Sequence, residues 1–127
     1  MATSTIPNPN VIKENLIVDL ANSNVITHTA GTPVGYRYGN QMICYISLAF
    51  KTTQQRAADL GVFRLRTSDN KQIVPTTPYF LPCMVNSDNV MRWCFKGSDS
   101  GAYFVSPVTW NANAEFRITG AFVGDIQ

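Results

Sequence analysis

The chain has 127 residues and a mass of 14.0 kDa, a length that predicts one domain with a substantial core. Hydrophobic residues make up 45% and charged residues 14%, which excludes a disordered chain, because disorder requires low hydrophobicity and high charge. No stretch of about 18 apolar residues occurs, so we expect no membrane insertion. The net charge of +2 is spread along the chain without a Lys/Arg run, so we expect no nucleic-acid partner.

The N-terminal part differs in character from the rest. It contains no basic segment followed by an apolar one, so we expect no signal peptide and assembly in the cytoplasm. Residues 1–24 are predicted to form an N-terminal arm or docking segment, and residues 25–127 the folded domain. Residues 11–20 fit either a short helix capped by Asn10 or a short strand, and the pattern leaves both open.

From residue 25 onwards the hydrophobic period is two, which is typical of strands. After a short strand over residues 25–29, Gly39 and Asn40 predict a two-residue hairpin turn. Residues 42–50 then alternate so that one face is continuously apolar and the other is mixed. Residues 52–59 predict a loop. Further strands are predicted over residues 60–66, 73–74, 80–85, 90–96, 102–105, 108–110 and 115–123.

Turn residues recur every 8–12 positions, and no long helical stretch separates the strands. This spacing predicts an all-β fold, an antiparallel β-sandwich or jelly-roll-like barrel, with a short N-terminal arm or helix. The three prolines at 75, 78 and 82 favour an extended, edge-like course for that part of the chain.

The three cysteines are expected to be thiols of the core. Cys44 and Cys94 lie in apolar strands, and their spacing does not match a zinc site. In the hairpin register that the turn predicts, Cys83 opposes Arg92, and Cys94 is only a diagonal neighbour. Diagonal positions lie about 7–8 Å apart, too far for a relaxed disulfide.

Enzymatic activity is not expected. His28 is the only histidine, no G-x-S-x-G or glycine-rich phosphate loop occurs, and most acidic residues lie in predicted turns. The sequence therefore predicts neither catalytic residues nor a metal or other cofactor.

Aromatic residues beside polar ones provide the candidate ligand contacts, because such a ring can stack on a sugar face while neighbouring side chains bind its hydroxyls. The alternative is that these rings fill the core, as aromatic residues of strands commonly do. The candidates nearest to predicted loops are Tyr79, Asp99, Tyr103, Trp110, Asn111 and Asn113.

Two segments resemble a known family. Residues 36–40, YRYGN, lead into an alternating strand, and residues 108–123, VTWNANAEFRITGAFV, follow a proline-flanked strand at 78–82. Together these motifs resemble the head domains of phage tail receptor-binding and fibre proteins over roughly residues 34–123.

This resemblance implies a virion protein of a tailed bacteriophage that attaches to saccharide on the bacterial surface. It further implies a homotrimer, with residues 1–24 contacting other virion proteins. A capsid decoration or head-fibre protein, and a carbohydrate-binding module of other origin, are the alternatives.

Overall fold

The computed structural model describes residues 11–57, 60–77, 80–85, 91–96, 103–105 and 109–127. All regular structure in these ranges is β-strand, and no helix occurs within them. The strands are β1 (Val11–Asn15), β2 (Ile17–Leu20), β3 (Ile26–Ala30), β4 (Val34–Tyr38), β5 (Gln41–Thr52), β6 (Gly61–Arg66), β7 (Gln72–Pro75), β8 (Phe80–Val85), β9 (Met91–Lys96), β10 (Phe104–Val105) and β11 (Glu115–Ile126). Their pairings are all antiparallel, which confirms the prediction of an all-β antiparallel fold.

Two long strands, β5 and β11, form the middle of the sheet. They pair from Gln41 and Asp125 at one end to Lys51 and Glu115 at the other. The second edge of β5 is covered by β4 and then by β3, and the second edge of β11 is shared between β7 and β8. The strand order is β1-β4-β5-β11-β7-β6-β10-β9-β8, with β2 on β6 and β3 on β5.

The hairpin between β4 and β5 forms as predicted. Tyr38 pairs with Gln41, and the two loop residues are Gly39, at φ +61°, and Asn40. The alternation along β5 is also confirmed, since one face is buried and the other is largely exposed. The buried residues are Met42, Cys44, Ile46, Leu48 and Phe50.

The segment from Val11 to Leu20 is part of the sheet. Its first half, β1, pairs with β4, and its second half, β2, pairs with β6. Between them the buried Leu16 donates its backbone N–H to Pro33 O at 2.8 Å. The helical alternative is therefore wrong, because the backbone groups of this segment pair with other strands. The described part of the predicted arm is integrated into the fold.

An aromatic core joins strands that are not neighbours in the strand order. Phe50 of β5 stacks on Phe63 and on Phe116, each at 5.3 Å between ring centroids. Phe63 of β6 in turn stacks on Phe104 at 5.0 Å. Because β5 and β6 are not neighbours in the strand order, these contacts require the sheet to curve back over itself. A sandwich or jelly-roll arrangement of the strands stays a prediction.

Two cysteines behave as the sequence predicts. Cys44 and Cys83 are fully buried free thiols. In the hairpin of β8 and β9, Cys83 pairs with Arg92, which confirms the predicted register.

Candidate binding surface

The structure places the predicted ligand contacts in different environments. Tyr79 and Asp99 lie outside the described residues. Tyr103 is partly buried just before β10, and the guanidinium Cζ of Arg64 lies 4.5 Å from the centroid of its ring. One face of the Tyr103 ring is thus occupied by a cation of the same chain, so this ring is not an open platform for a sugar.

Trp110 is a core residue. Its ring centroid lies 3.5 Å from that of Phe116, and its side chain is 1% exposed. Its backbone pairs with Arg56 through two hydrogen bonds, at 2.8 and 2.9 Å. A ring packed in this way offers no free face to a ligand, which does not fit the predicted ligand contact. The burial of Trp110 could not be predicted from its own neighbours in sequence. It depends on a bridge to Arg56, which lies in the segment 52–59 that the sequence predicts to be a loop.

The two predicted asparagines form a tight turn that leads into β11. Asn113 has a φ of +61°, a conformation that asparagine tolerates better than most residues. The turn is anchored by Thr52, whose Oγ1 donates to Asn111 O at 2.9 Å and whose carbonyl oxygen accepts from Asn113 N at 2.9 Å. Both asparagine side chains are exposed. The backbone geometry explains these residues without a ligand.

A second group of aromatic residues lies together on the exposed side of the sheet. Within β1, β4, β5 and β11, alternate residues point outward and adjacent strands bring them into rows. We call this surface the tyrosine face, and its members are Val11, Lys13, Val34, Tyr36, Tyr38, Ile43, Tyr45 and Val123.

Three tyrosines dominate this face. Tyr36, Tyr38 and Tyr45 are 37%, 57% and 51% exposed, and Ile43 between them is 44% exposed. The rings of Tyr36 and Tyr45 meet edge to face, with centroids 5.7 Å apart. Because an aromatic side chain has about 150–250 Å² of surface, the three rings together expose on the order of 300 Å². That area is comparable to the largest apolar patch of a typical monomer, which is often functional.

Tyr36 separates two depressions on the tyrosine face. The first, about 370 Å³ in volume, is lined by Lys13, Val34, Tyr36 and Tyr45. The second, about 270 Å³, lies towards the hairpin and is lined by Val11, Tyr36, Tyr38, Gln41, Met42, Ile43 and Val123. The face is therefore a ridged surface with two shallow compartments.

The charges on and around this face are few. Lys13 is exposed, and no described residue pairs with its ammonium group. Its neighbour Glu14 accepts hydrogen bonds from Ser68 N at 2.9 Å and Ser68 Oγ at 3.1 Å. At the hairpin end, Asp125 Oδ1 accepts from Gln41 Nε2 at 3.1 Å. Tyr36 and Tyr38 belong to the YRYGN segment before the predicted hairpin turn, but only the register of β4 with β5 shows that Tyr45 joins them.

A larger groove, of about 760 Å³, lies at the opposite end of β5 and β11. It is lined by Thr29, Ala30, Ala49, Phe50, Met84, Glu115, Phe116 and Arg117. His28 lies near it on β3, where its Nε2 donates to Ala30 O at 2.9 Å and its ring contacts Phe50 at 5.4 Å. With Glu115 and Arg117 both on its rim, this groove has no preference for one sign of charge.

Comparison of this chain with known proteins finds no match. No protein-family model matches it, and no curated protein or solved structure matches it. Within the described residues, no group of three or more His, Cys, Asp or Glu side chains could hold a metal ion. In the same part of the chain there is no helix of the length and apolarity needed to cross a membrane.

Proposed function

We propose that this chain is a non-catalytic attachment module of a tailed-bacteriophage virion and that it binds bacterial surface saccharide on the tyrosine face. The observation that carries the binding site is the side-by-side exposure of Tyr36, Tyr38 and Tyr45 on one surface of the sheet. The virion assignment is supported by the resemblance of residues 34–123 to receptor-binding and fibre head domains.

The chemistry of the face suits a sugar. The C–H face of a pyranose packs against a tyrosine ring, and the tyrosine hydroxyls and Gln41 supply hydrogen-bonding groups at its edge. Strands hold the rings, so little conformational entropy is lost when a ligand binds. A ridged, shallow surface gives weak affinity for a single site, and several copies on one particle raise the avidity through effective concentration.

The size of the exposed tyrosine cluster suits a saccharide better than a large protein partner. A stable protein interface buries about 800 Å² on each side. The exposed rings supply on the order of 300 Å², which is less than half of that area. A capsid decoration protein, the alternative function, would have to bury further residues around the three rings.

Assembly into the virion is the second part of the proposal. Ile12 of β1 and Ile17 of β2, at 56% and 43% exposure, are exposed apolar residues in the described part of residues 1–24, and we propose that other virion proteins contact them. We propose a homotrimer as the assembled form. Light scattering of the purified chain tests this, and a stable monomer at micromolar concentration would contradict it.

The binding proposal is tested with a panel of polysaccharides from bacterial surfaces, using the wild-type chain and the variants Tyr38→Ala and Tyr45→Ala. Truncating a ring that contacts the ligand should raise Kd about tenfold, which corresponds to about 1.4 kcal/mol. The matched control is Leu60→Ala, because Leu60 is 45% exposed and lies outside the tyrosine face.

Two outcomes would overturn the proposal. One is the absence of binding to every polysaccharide and every whole-cell sample in the panel. The other is binding that the two tyrosine variants leave unchanged, which would place the ligand elsewhere on the molecule.

A further inference from the structure

We infer that the compartment lined by Lys13, Val34, Tyr36 and Tyr45 binds a carboxylated sugar unit, so that the saccharide recognised by this chain is acidic. This inference rests on the proposed function, because it names the class of saccharide for the same face. It states that this compartment prefers a negatively charged sugar to a neutral or positively charged one.

The register builds the compartment from two adjacent rows of the sheet. Lys13 of β1 lies directly opposite Tyr36 of β4, and in the next row Val34 lies opposite Tyr45 of β5. Directly opposite side chains in a sheet are close enough to touch the same small ligand. The depression between them, about 370 Å³, is within the range of about 300–1,000 Å³ that holds small-molecule ligands.

Lys13 gives this compartment its charge. It is the one ionised side chain among the described residues that line the depression, and its ammonium group has no partner among them. The nearest acid in sequence, Glu14, is engaged by Ser68, and Asp125 lies in a different row with Gln41. A carboxylate on the ligand would thus meet a cation without meeting an opposing anion.

The two tyrosines fix how such a sugar would lie. Their edge-to-face contact, with centroids 5.7 Å apart, presents one ring face and one ring edge to the depression. A pyranose that packs on the ring face can direct an equatorial carboxylate towards β1, where Lys13 lies. An amino sugar in the same pose would place its ammonium against Lys13, and this repulsion is selective against it.

The test compares acidic capsular polysaccharides with the same polymers after chemical reduction of their carboxyl groups to alcohols. The wild-type chain should bind the acidic forms about tenfold more tightly at low salt, and the preference should shrink as ionic strength rises. Lys13→Gln should remove the preference. Lys51→Gln is the matched control, because Lys51 is an exposed lysine at the far end of β5. This variant should keep the preference for the acidic polymers.

Failure of this inference is distinguishable from failure of the proposed function. Equal binding of acidic and reduced polymers, or a preference that Lys13→Gln leaves intact, would overturn the acidic-sugar inference and leave saccharide binding in place. If no polymer of either kind binds, both fall. If Lys13→Gln instead changes the oligomeric state in light scattering, the face is an interface between copies, and the inference is likewise overturned.

Discussion

Two glycines with positive φ provide a sharp test of the sheet geometry. Gly31, at φ +94°, precedes β4, and Gly39, at φ +61°, is in the hairpin loop. A Cβ added at Gly31 would lie 2.0 Å from the backbone oxygen of Ser47, whereas a Cβ at Gly39 would meet nothing within 4 Å. At Gly39, alanine therefore strains only the backbone. At Gly31, alanine strains the backbone and its Cβ also collides with β5.

The magnitudes differ enough to be measured. A positive φ costs an L-residue about 1–2 kcal/mol, and the lower entropy of the unfolded alanine chain offsets about 0.4–1 kcal/mol of this. We expect Gly39→Ala to lower the free energy of unfolding by about 1 kcal/mol. Gly31→Ala must also displace β5, where Ser47 pairs with Thr119 of β11, and overpacking of this kind costs about 1–3 kcal/mol more.

Urea denaturation, followed by tryptophan fluorescence, measures both variants against the wild-type chain. The expected result is a loss at Gly31→Ala that is about 2 kcal/mol larger than the loss at Gly39→Ala, with unchanged m-values. Equal losses for the two variants would mean that the chain before β4 does not approach Ser47 as closely as the structure has it, and the reasoning would be refuted.

Three further predictions concern the core and two titratable groups. Phe50→Ala removes the ring at the centre of the aromatic core and should cost about 3–5 kcal/mol in urea unfolding, unless the neighbouring rings collapse into the cavity. Burial opposes ionisation of Asp19, but hydrogen bonds from Arg64 and Arg66, at 2.6 and 3.1 Å, outweigh it and lower the pKa of Asp19. The stability from this carboxylate is therefore present above its usual pKa of 3.8 and is lost as pH falls through the lower folded value. Thermal melts at pH 2–6 should show a larger loss in the wild-type chain than in Asp19→Asn, in which the other carboxylates, including Asp69, still titrate, and parallel curves would contradict it. Burial, with a contribution from Glu14, raises the pKa of the Cys44 thiol to about 12, so alkylation followed by mass spectrometry at pH 8 should modify Cys44 only in denaturant.

The elements that the sequence predicts best are those in which local pattern and tertiary packing agree. The alternation along β5 and the Gly39–Asn40 turn each specify a local geometry that the rest of the sheet accepts. The pairing of Cys83 with Arg92 is likewise set locally, by the length of the predicted turn between β8 and β9.

Other features depend on pairings between distant segments, which no local pattern contains. Residues 11–20 form strands because β4 and β6 accept their backbone groups. Pro75 favours an edge because it lacks a backbone N–H, yet β7 lies between β6 and β11. The strand tolerates this proline because β6 pairs only with Gln72 and Ile73, so Pro75 lies beyond that pairing.

In the candidate site, too, features set by distant pairings could not be predicted from local sequence. Trp110 resembles an exposed loop residue by its polar neighbours, but its pairing with Arg56 and its contact with Phe116 place it in the core. Tyr45 resembles an ordinary strand residue, and it gains significance only beside Tyr36, on the neighbouring strand.

The central position of β11 has a consequence for biosynthesis. Its partners β5, β7 and β8 all precede it in the chain, so the ribosome completes each of them before the strand that joins them exists. Until then, one edge of β5 lacks its strand partner and is open to aggregation or to chaperones. Such non-local pairing is slow to form. The sheet therefore cannot be completed before β11 itself has been synthesised.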